Sequence, residues 1–139
     1  IGLEGSPDLA YSEIVAKHID SSHHHVEVHA DDCLNALEDV VYATETFDVT
    51  TIRASTPMYL LSKYIRNNSD DIVIYSGEGS DEVTQGYLYF RNQPSGREGA
   101  LESMRLMEQL YEFDVLRVDR TTAEHGLEVR EPFLDKAFM

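Results

Sequence analysis

Three carboxylates lie within five residues of one another near the middle of the chain. Glu78, Asp81 and Glu82 belong to the sequence SGEGSDE, residues 76–82. The two glycines remove side-chain bulk, so the backbone can approach a ligand and point its N–H groups at it. Carboxylates this close repel one another unless a cation lies among them. A magnesium–nucleotide would satisfy both features, because Mg²⁺ binds one or two carboxylates together with phosphate oxygens. The alternative is a solvated acidic turn that caps a helix.

The residues on either side of this loop predict its place in a fold. Ile72 to Tyr75 is an unbroken apolar and largely β-branched run, typical of a buried strand in a parallel sheet. Asp81 and Glu82 suit the first turn of a helix that follows, where acids are favoured by the helix dipole. A strand, a glycine-containing turn and a helix start put the loop at the carboxyl edge of a sheet, where open α/β sheets bind ligands.

A single guanidinium lies among hydroxyl groups in the segment 48–57, which we predict to be a loop directly before a helix. Thr50, Thr51 and Arg53 are its central polar residues. Such a cluster could hold a carboxylate or phosphate, since arginine can bond either group through two N–H donors. The alternative is that the hydroxyl residues only cap the helix and that Arg53 lies on the surface.

Asp114 and Arg117 are the charged residues of interest in a long helical pattern that begins near Glu98. We expect this helix to end at His125 and Gly126, with glycine just past its last turn. The i,i+3 spacing of Asp114 and Arg117 is that of an ordinary ion pair on a helix surface.

Four histidines, His23, His24, His25 and His29, fall in or beside a predicted short strand from His24 to Ala30. Metal ligands must converge on one point, whereas adjacent strand residues face opposite sides. Solvated histidines are therefore expected rather than a metal site. Asp31 or Asp32 is expected to cap the helix that follows.

Composition excludes several classes of protein. The 139 residues are 42% hydrophobic with a formal net charge of −15, which predicts a globular domain without the basic face that nucleic acid or an anionic membrane requires. No apolar run approaches the length of a membrane span. Cys33 is the only cysteine, so no internal disulfide can form and a reducing cytosolic setting is expected.

Strand patterns alternate with helical ones along the chain, which predicts an α/β fold with a mostly parallel sheet flanked by helices. Ile1 to Leu3 has the pattern of a strand without its beginning, and Phe133 to Met139 that of a helix without its end. We therefore expect an internal segment of a longer protein.

Several sequence blocks together resemble the glutamine-hydrolysing asparagine synthetases. The blocks are SPDL at 6–9, TTIRAS at 50–55, SGEGSDE at 76–82, QGYLYF at 85–90, RTTA at 120–123 and PFLD at 132–135. The resemblance extends over essentially the whole chain. It implies an α/β ATP-pyrophosphatase fold, similar to the adenine nucleotide α-hydrolases, of which residues 1–139 are the central part. The glutaminase domain and the pyrophosphate loop would lie outside this segment, which alone is expected to be inactive.

The resemblance also implies a reaction. ATP, with Mg²⁺, would activate aspartate as β-aspartyl-AMP and release pyrophosphate. Ammonia derived from glutamine would then displace AMP and give asparagine. The setting would be the cytosol, and the full-length protein could form a homodimer.

Roles for individual residues follow from the same resemblance. Glu78 would serve formation or breakdown of the acyl-adenylate, and Asp81 would hold Mg²⁺–pyrophosphate. The resemblance implies contacts to ATP from Ile1, Ser76 and Gly77. It implies contacts to aspartate or the intermediate from Thr50, Thr51 and Arg53. It also implies a possible functional role for Asp114 and Arg117.

Two other functions stay open at this stage. A β-lactam-forming synthetase shares the adenylation chemistry but acts within one substrate. A non-catalytic acidic domain could bind a nucleotide or a partner without reaction. Glu131 departs from the pattern of that family, since the resemblance implies an apolar residue before Pro132.

Overall fold

The computed structural model describes residues 1–139, which form a helix-rich α/β chain. The helices are α1 (Pro7–His18), α2 (Ala30–Asn35), α3 (Leu37–Thr44), α4 (Val49–Asn68), α5 (Ser80–Thr84), α6 (Gly96–Gln109) and α7 (Asp114–Ala123). The strands are β1 (Gly2–Leu3), β2 (Glu27–Val28), β3 (Val73–Tyr75) and β4 (Glu128–Arg130). Three 3-10 helices span Leu88–Asn92, Leu110–Glu112 and Pro132–Leu134.

The strands form two parallel pairs, which confirms the predicted parallel α/β arrangement. β1 pairs with β2, and β3 pairs with β4 with Ile74 opposite Val129. Each pair is joined through intervening helices, as parallel strands require. The two pairs are separate two-stranded sheets in this chain.

The strand before the acidic loop is present, but the prediction that it is buried was wrong. β3 begins at Val73, and Tyr75 is 77% exposed. Ile72 and Val73 are exposed as well. The physical reason is that β3 has only one neighbouring strand, β4, so much of its apolar surface is uncovered.

The core lies between helices rather than against a sheet. Ala36, Val40 and Tyr59 form its buried centre, where α3 packs on α4. The first two are apolar residues four apart, so they lie on one helical face. α7 packs on the same helix, and Val118 of α7 is also buried. The α3–α4–α7 layer is therefore the rigid support for the residues at the start of α4 and α7.

The prediction of a loop at 48–57 was wrong, because α4 already begins at Val49. Asp48 is the N-cap, and its carboxylate accepts a hydrogen bond from the backbone N–H of Thr51 at 2.7 Å. The hydroxyl residues that suggested a loop are accommodated within the helix: Thr56 Oγ1 donates to the carbonyl of Ile52 at 2.8 Å. Asp48 is therefore the N-cap of α4, rather than one of the hydroxyl residues that the sequence suggested for this role.

The predicted long helix from Glu98 is divided into two. α6 ends at Gln109, a 3-10 turn follows, and α7 begins at Asp114. Phe113, between them, has a non-helical backbone with φ −122° and ψ −96°. Gly126 has φ +67°, which confirms a glycine-terminated end to this region. β4, directly after it, was not predicted.

The histidine-containing region differs from the prediction in its boundaries. β2 is only Glu27–Val28, shorter than the predicted strand. His29, not Asp31 or Asp32, is the N-cap of α2, and its backbone N–H donates to Asp32 Oδ2 at 2.8 Å. No group of three or more histidine, cysteine or acidic side chains is arranged to hold a metal ion. No helix combines the length and apolar character needed to cross a bilayer.

Candidate active site

The acidic loop follows β3 directly and is fixed to the neighbouring strand. The backbone N–H of Ser76 donates to the carbonyl of Arg130 at 2.9 Å, which extends the β3–β4 pairing by one residue. Gly77 is exposed, and no atom lies within 4 Å of the position where its Cβ would be. The backbone at Gly77 therefore remains open to a ligand.

Gly79 turns the chain from the loop into α5. Its φ of +83° is in the left-handed region, which glycine adopts without strain. α5 then begins at Ser80 with Asp81 and Glu82 in its first turn, as predicted. The strand–turn–helix arrangement predicted from the sequence is confirmed.

Glu78 is half-buried, and its carboxyl ionises at a higher pH than an exposed glutamate does. Burial is the largest cause of a pKa raised to about 7. The negative charges of Asp114, Glu131 and Glu82 raise the pKa further, while the positive charge of Arg117 lowers it. A carboxyl with a pKa near neutral can accept and release a proton at physiological pH, which makes Glu78 suitable for general acid–base catalysis.

Asp114 and Arg117 form an ion pair in the first turn of α7. The side chain of Arg117 is only 12% exposed and that of Asp114 22%, so this is not the surface pair that the spacing suggested. The Nε atom of Arg117 is buried without a hydrogen-bond partner. Arg117 therefore keeps one buried donor unpaired, and its positive charge acts on Glu78.

Glu82 is buried and held by one aromatic residue. The hydroxyl of Tyr87 donates to Glu82 Oε1 at 2.5 Å. Burial, followed by the hydrogen bond to Glu82, raises the pKa of Tyr87 well above its usual range. This contact anchors α5 to the aromatic segment, in which Phe90 is buried while Tyr89 stacks on it with ring centroids 4.7 Å apart. Leu88 and Tyr89 are exposed, so Phe90 is the residue of this segment that is buried.

Asp81, by contrast with Glu82, is exposed at the start of α5. Its carboxylate lies against Gly86, where a Cβ atom would be 2.0 Å from Asp81 Oδ1. A single exposed carboxylate in the first turn of a helix fits the way that Mg²⁺ is bound in nucleotide sites, where phosphate oxygens and water supply the remaining ligands.

The start of α4 lies near the same ion pair. Hydrogen bonds from Thr51 are the main cause of a lowered pKa at Asp48, and the positive charge of Arg117 lowers it further. Arg117 therefore acts on both Asp48 and Glu78. Thr51 is buried, whereas Thr50 is exposed.

Arg53 and Ile1 line one cavity of about 530 Å³ between β1, β2 and the first turns of α4. This volume is within the range of small-molecule sites. Arg53 is exposed and forms no ion pair, so its guanidinium is free to meet an anion. The other residues that line the cavity are Gly2, Leu3, Val28, Cys33, Leu37, Val49, Ile52, Thr56 and Pro57.

The expected site residues thus fall into two groups. Ser76, Gly77, Glu78 and Asp81 belong to the loop after β3, which Asp114 and Arg117 face. Arg53 is not among the charges that act on Glu78. Ile1 and Arg53 share the second group, and Thr50 is next to it on α4.

Two residues beside the expected site residues were missed. Glu131, considered only as a departure from an expected apolar position, acts electrostatically on Glu78. Asp48 caps the helix that contains Thr50 and Arg53. The acid directly before a threonine-containing helical segment was a detectable capping signal, whereas nothing local to Glu131 indicated its neighbour.

Comparison with known proteins identifies the family. The asparagine synthase family matches residues 1–111 and 93–139 of the chain. The protein named asparagine synthetase [glutamine-hydrolyzing] is 58% identical in Gallus gallus over 138 residues, 99% of this chain. The proteins of the same name in Bos taurus and Homo sapiens are each 56% identical over 138 residues.

The chain belongs to the asparagine synthase family, because the family match extends along its whole length. It spans about 25% of the length of each of these relatives. The resemblance found in the sequence is therefore confirmed.

Proposed function

We propose that residues 1–139 are the central part of the ATP-dependent domain of a glutamine-hydrolysing asparagine synthetase. This enzyme would convert aspartate to asparagine through β-aspartyl-AMP, with ammonia from glutamine, and would release AMP and pyrophosphate. The parallel strand pairs support an ATP-pyrophosphatase type of α/β fold. The names of the relatives support the reaction. The cytosol is the proposed location, with a homodimer as the proposed assembly of the full-length protein.

The observation that carries the proposal is the half-buried Glu78, whose pKa is raised to about 7 at the end of β3. In the second half of the reaction, ammonia attacks the acyl carbon of the intermediate and AMP leaves. The attacking nitrogen must lose one proton to become an amide. The Glu78 carboxylate can accept this proton, since its pKa is matched to neutral pH.

Ser76, Gly77 and Ile1 are the proposed contacts to ATP. The open backbone of Gly77 supports a close approach of phosphate. Ile1 lies in the wall of a mostly apolar cavity, which suits a flat adenine ring. Asp81 is the proposed Mg²⁺–pyrophosphate ligand, since its carboxylate is exposed on the same loop. Bound Mg²⁺ would neutralise charge on the departing phosphates.

Thr50, Thr51 and Arg53 are the proposed contacts to aspartate or the acyl-adenylate. Arg53 has no carboxylate partner within the chain, so a substrate anion is its natural one. Because Thr51 is buried, Thr50 and Arg53 are the better candidates for direct contact.

Asp114 and Arg117 are proposed to act at the same centre. The partly unpaired guanidinium of Arg117 is suited to stabilise negative charge that develops beside Glu78. Asp114 would hold this guanidinium in position through their ion pair.

The test is a product balance on the purified full-length protein with aspartate, ATP, Mg²⁺ and glutamine labelled with ¹⁵N in its amide. The proposal predicts labelled asparagine, AMP and pyrophosphate in equal amounts. Pyrophosphate release that requires an added β-amino acid in place of aspartate, with formation of a β-lactam and no asparagine, would favour the β-lactam-forming type of synthetase. The absence of any ATP cleavage would favour a non-catalytic domain.

A further inference from the structure

Glu131 lies at the carboxyl edge of β4, beside the acidic loop. Tyr75 is opposite Arg130 in the β3–β4 register, and Ser76 donates a backbone hydrogen bond to the Arg130 carbonyl at 2.9 Å. The next residue on each strand therefore continues at the same edge. Glu131 follows Arg130 there as Ser76 follows Tyr75, so Glu131 lies level with Ser76, two residues before Glu78.

The turn that begins at Glu131 also packs against the loop. The backbone N–H of Leu134 donates to the carbonyl of Glu131 at 3.0 Å and closes the turn. The side chain of Leu134 lies over Gly79, where a Cβ atom would be 2.3 Å from Leu134 Cδ2. This contact fixes the position of the turn relative to the residue before Gly79, which is Glu78.

The carboxyl of Glu131 has no structural partner. Its Oε1 atom is buried and accepts no hydrogen bond. A buried polar atom without a partner costs free energy, so an acid at this position does not serve folding. An apolar residue at position 131 would avoid that cost.

We propose that Glu131 is a positioning residue that sets the protonation state of Glu78 by charge repulsion. The packing of Leu134 on Gly79 holds the turn that contains Glu131 against the loop that contains Glu78. The inference rests on the proposed role of Glu78. It adds to that role a residue through which the protein adjusts the pH range of synthesis.

The charges around both carboxyls are consistent with this role. Burial is the main cause of the raised pKa of Glu78, and Asp114, Glu131 and Glu82 raise it further against the effect of Arg117. Asp114 and Arg117 face Glu78 from α7, and Glu82 faces it from α5.

The pKa of Glu131 is also shifted, by burial and by one nearby charge. Burial, followed by the negative charge of Asp119 on α7, raises the pKa of Glu131. Glu131 is thus the charged group that acts on Glu78 from β4 and its turn.

The direction of the effect follows from the charges. Synthesis requires the carboxylate form of Glu78 and should fall as the pH drops below its pKa. Without the negative charge of Glu131, the pKa of Glu78 should decrease. The acidic limb of the pH profile should then move to lower pH.

The experiment compares Glu131→Gln and Glu131→Val with the unmodified full-length protein. Glu128→Gln is the matched control, since it removes an equal charge from an exposed position on β4. The first readout is the pH profile of kcat/KM for aspartate with glutamine as nitrogen donor. The second is infrared titration of the carboxyl band that is lost in Glu78→Gln, which reports on Glu78 without any need for turnover.

We expect both Glu131 variants to shift the infrared midpoint and the acidic limb to lower pH, with no such shift in Glu128→Gln. A shifted midpoint with an unshifted acidic limb would support the charge coupling but contradict the proposed catalytic role of Glu78. An unshifted midpoint in the Glu131 variants, or an equal shift in the control, would overturn the inference whether or not the protein makes asparagine.

Discussion

Leu134 packs directly on Gly79, with Cδ2 only 2.3 Å from where a glycine Cβ would be. Gly79 also has a φ of +83°, in the left-handed region. The two observations show that the turn after β4 and the loop after β3 are fitted to each other. The position of Glu78 thus depends on a residue more than fifty positions away in the sequence.

The first prediction concerns this contact. Gly79→Ala should lower the free energy of unfolding by on the order of 1–3 kcal/mol, because it combines left-handed strain with a clash against Leu134. Gly77→Ala is the control, since its Cβ would meet no atom within 4 Å. Chemical denaturation of the full-length proteins measures both. Equal stability of the two variants would contradict the close packing.

The second prediction concerns the free guanidinium in the cavity. Arg53→Ala in the full-length enzyme should reduce kcat/KM for aspartate more than for ATP. Loss of one charge-assisted contact should cost about 1.5–3 kcal/mol, or about a tenfold to hundredfold loss. Arg66→Ala, at an exposed position in the last turn of the same helix, should change neither value. Unchanged aspartate kinetics in Arg53→Ala would mean that the residue has only a surface role.

The third prediction concerns the ion pair on α7. Arg117→Met should destabilise the protein by roughly 3 kcal/mol, because it leaves the mostly buried Asp114 carboxylate without its partner. Lys17→Met breaks a comparable i,i+4 pair with Glu13 on α1, but there both side chains are exposed. That control should have little effect on stability, because solvent screens the exposed pair. Similar losses in the two variants would show that burial of the α7 pair has no consequence.

The fourth prediction concerns the pH dependence of stability. The pKa of Glu78 is raised from 4.5 to about 7 on folding, so the folded state disfavours the ionised form. Stability from this group is therefore complete below pH 4.5 and is lost as the pH rises through about 7. Glu78→Gln removes that loss. Its Tm relative to the unmodified protein should be higher at pH 8 than at pH 5, and a constant difference would contradict the raised pKa.

Much of the local structure near the loop could be predicted from short stretches of sequence. The β-branched residues before Ser76 indicated a strand, and the two glycines indicated a turn open to a ligand. Ser6 followed by proline is a local signal for a helix start, and Ser6 Oγ accepts from the N–H of Asp8 at 3.3 Å at the start of α1. In these places the backbone conformation depends mainly on adjacent residues.

The errors arose where distant contacts decide the structure. β4 contains two charged residues around Val129 and has no recognisable strand pattern, yet it pairs with β3. The hydroxyl residues of α4 suggested a loop, but packing against α3 and α7 stabilises a helix there. The raised pKa of Glu78 depends first on its burial and then on charges from α7 and from the turn after β4, which only the fold brings together.

The measurement that tests the account most directly is asparagine formation by Glu78→Gln in the full-length enzyme, with glutamine hydrolysis measured on the same preparation. Glutamine resembles glutamate in shape but cannot accept the proton. The account predicts that asparagine formation falls by roughly two to three orders of magnitude, as expected for loss of a preorganised catalytic group, while glutamine hydrolysis is retained. Asparagine formation at the normal rate by this variant would contradict the catalytic role of Glu78.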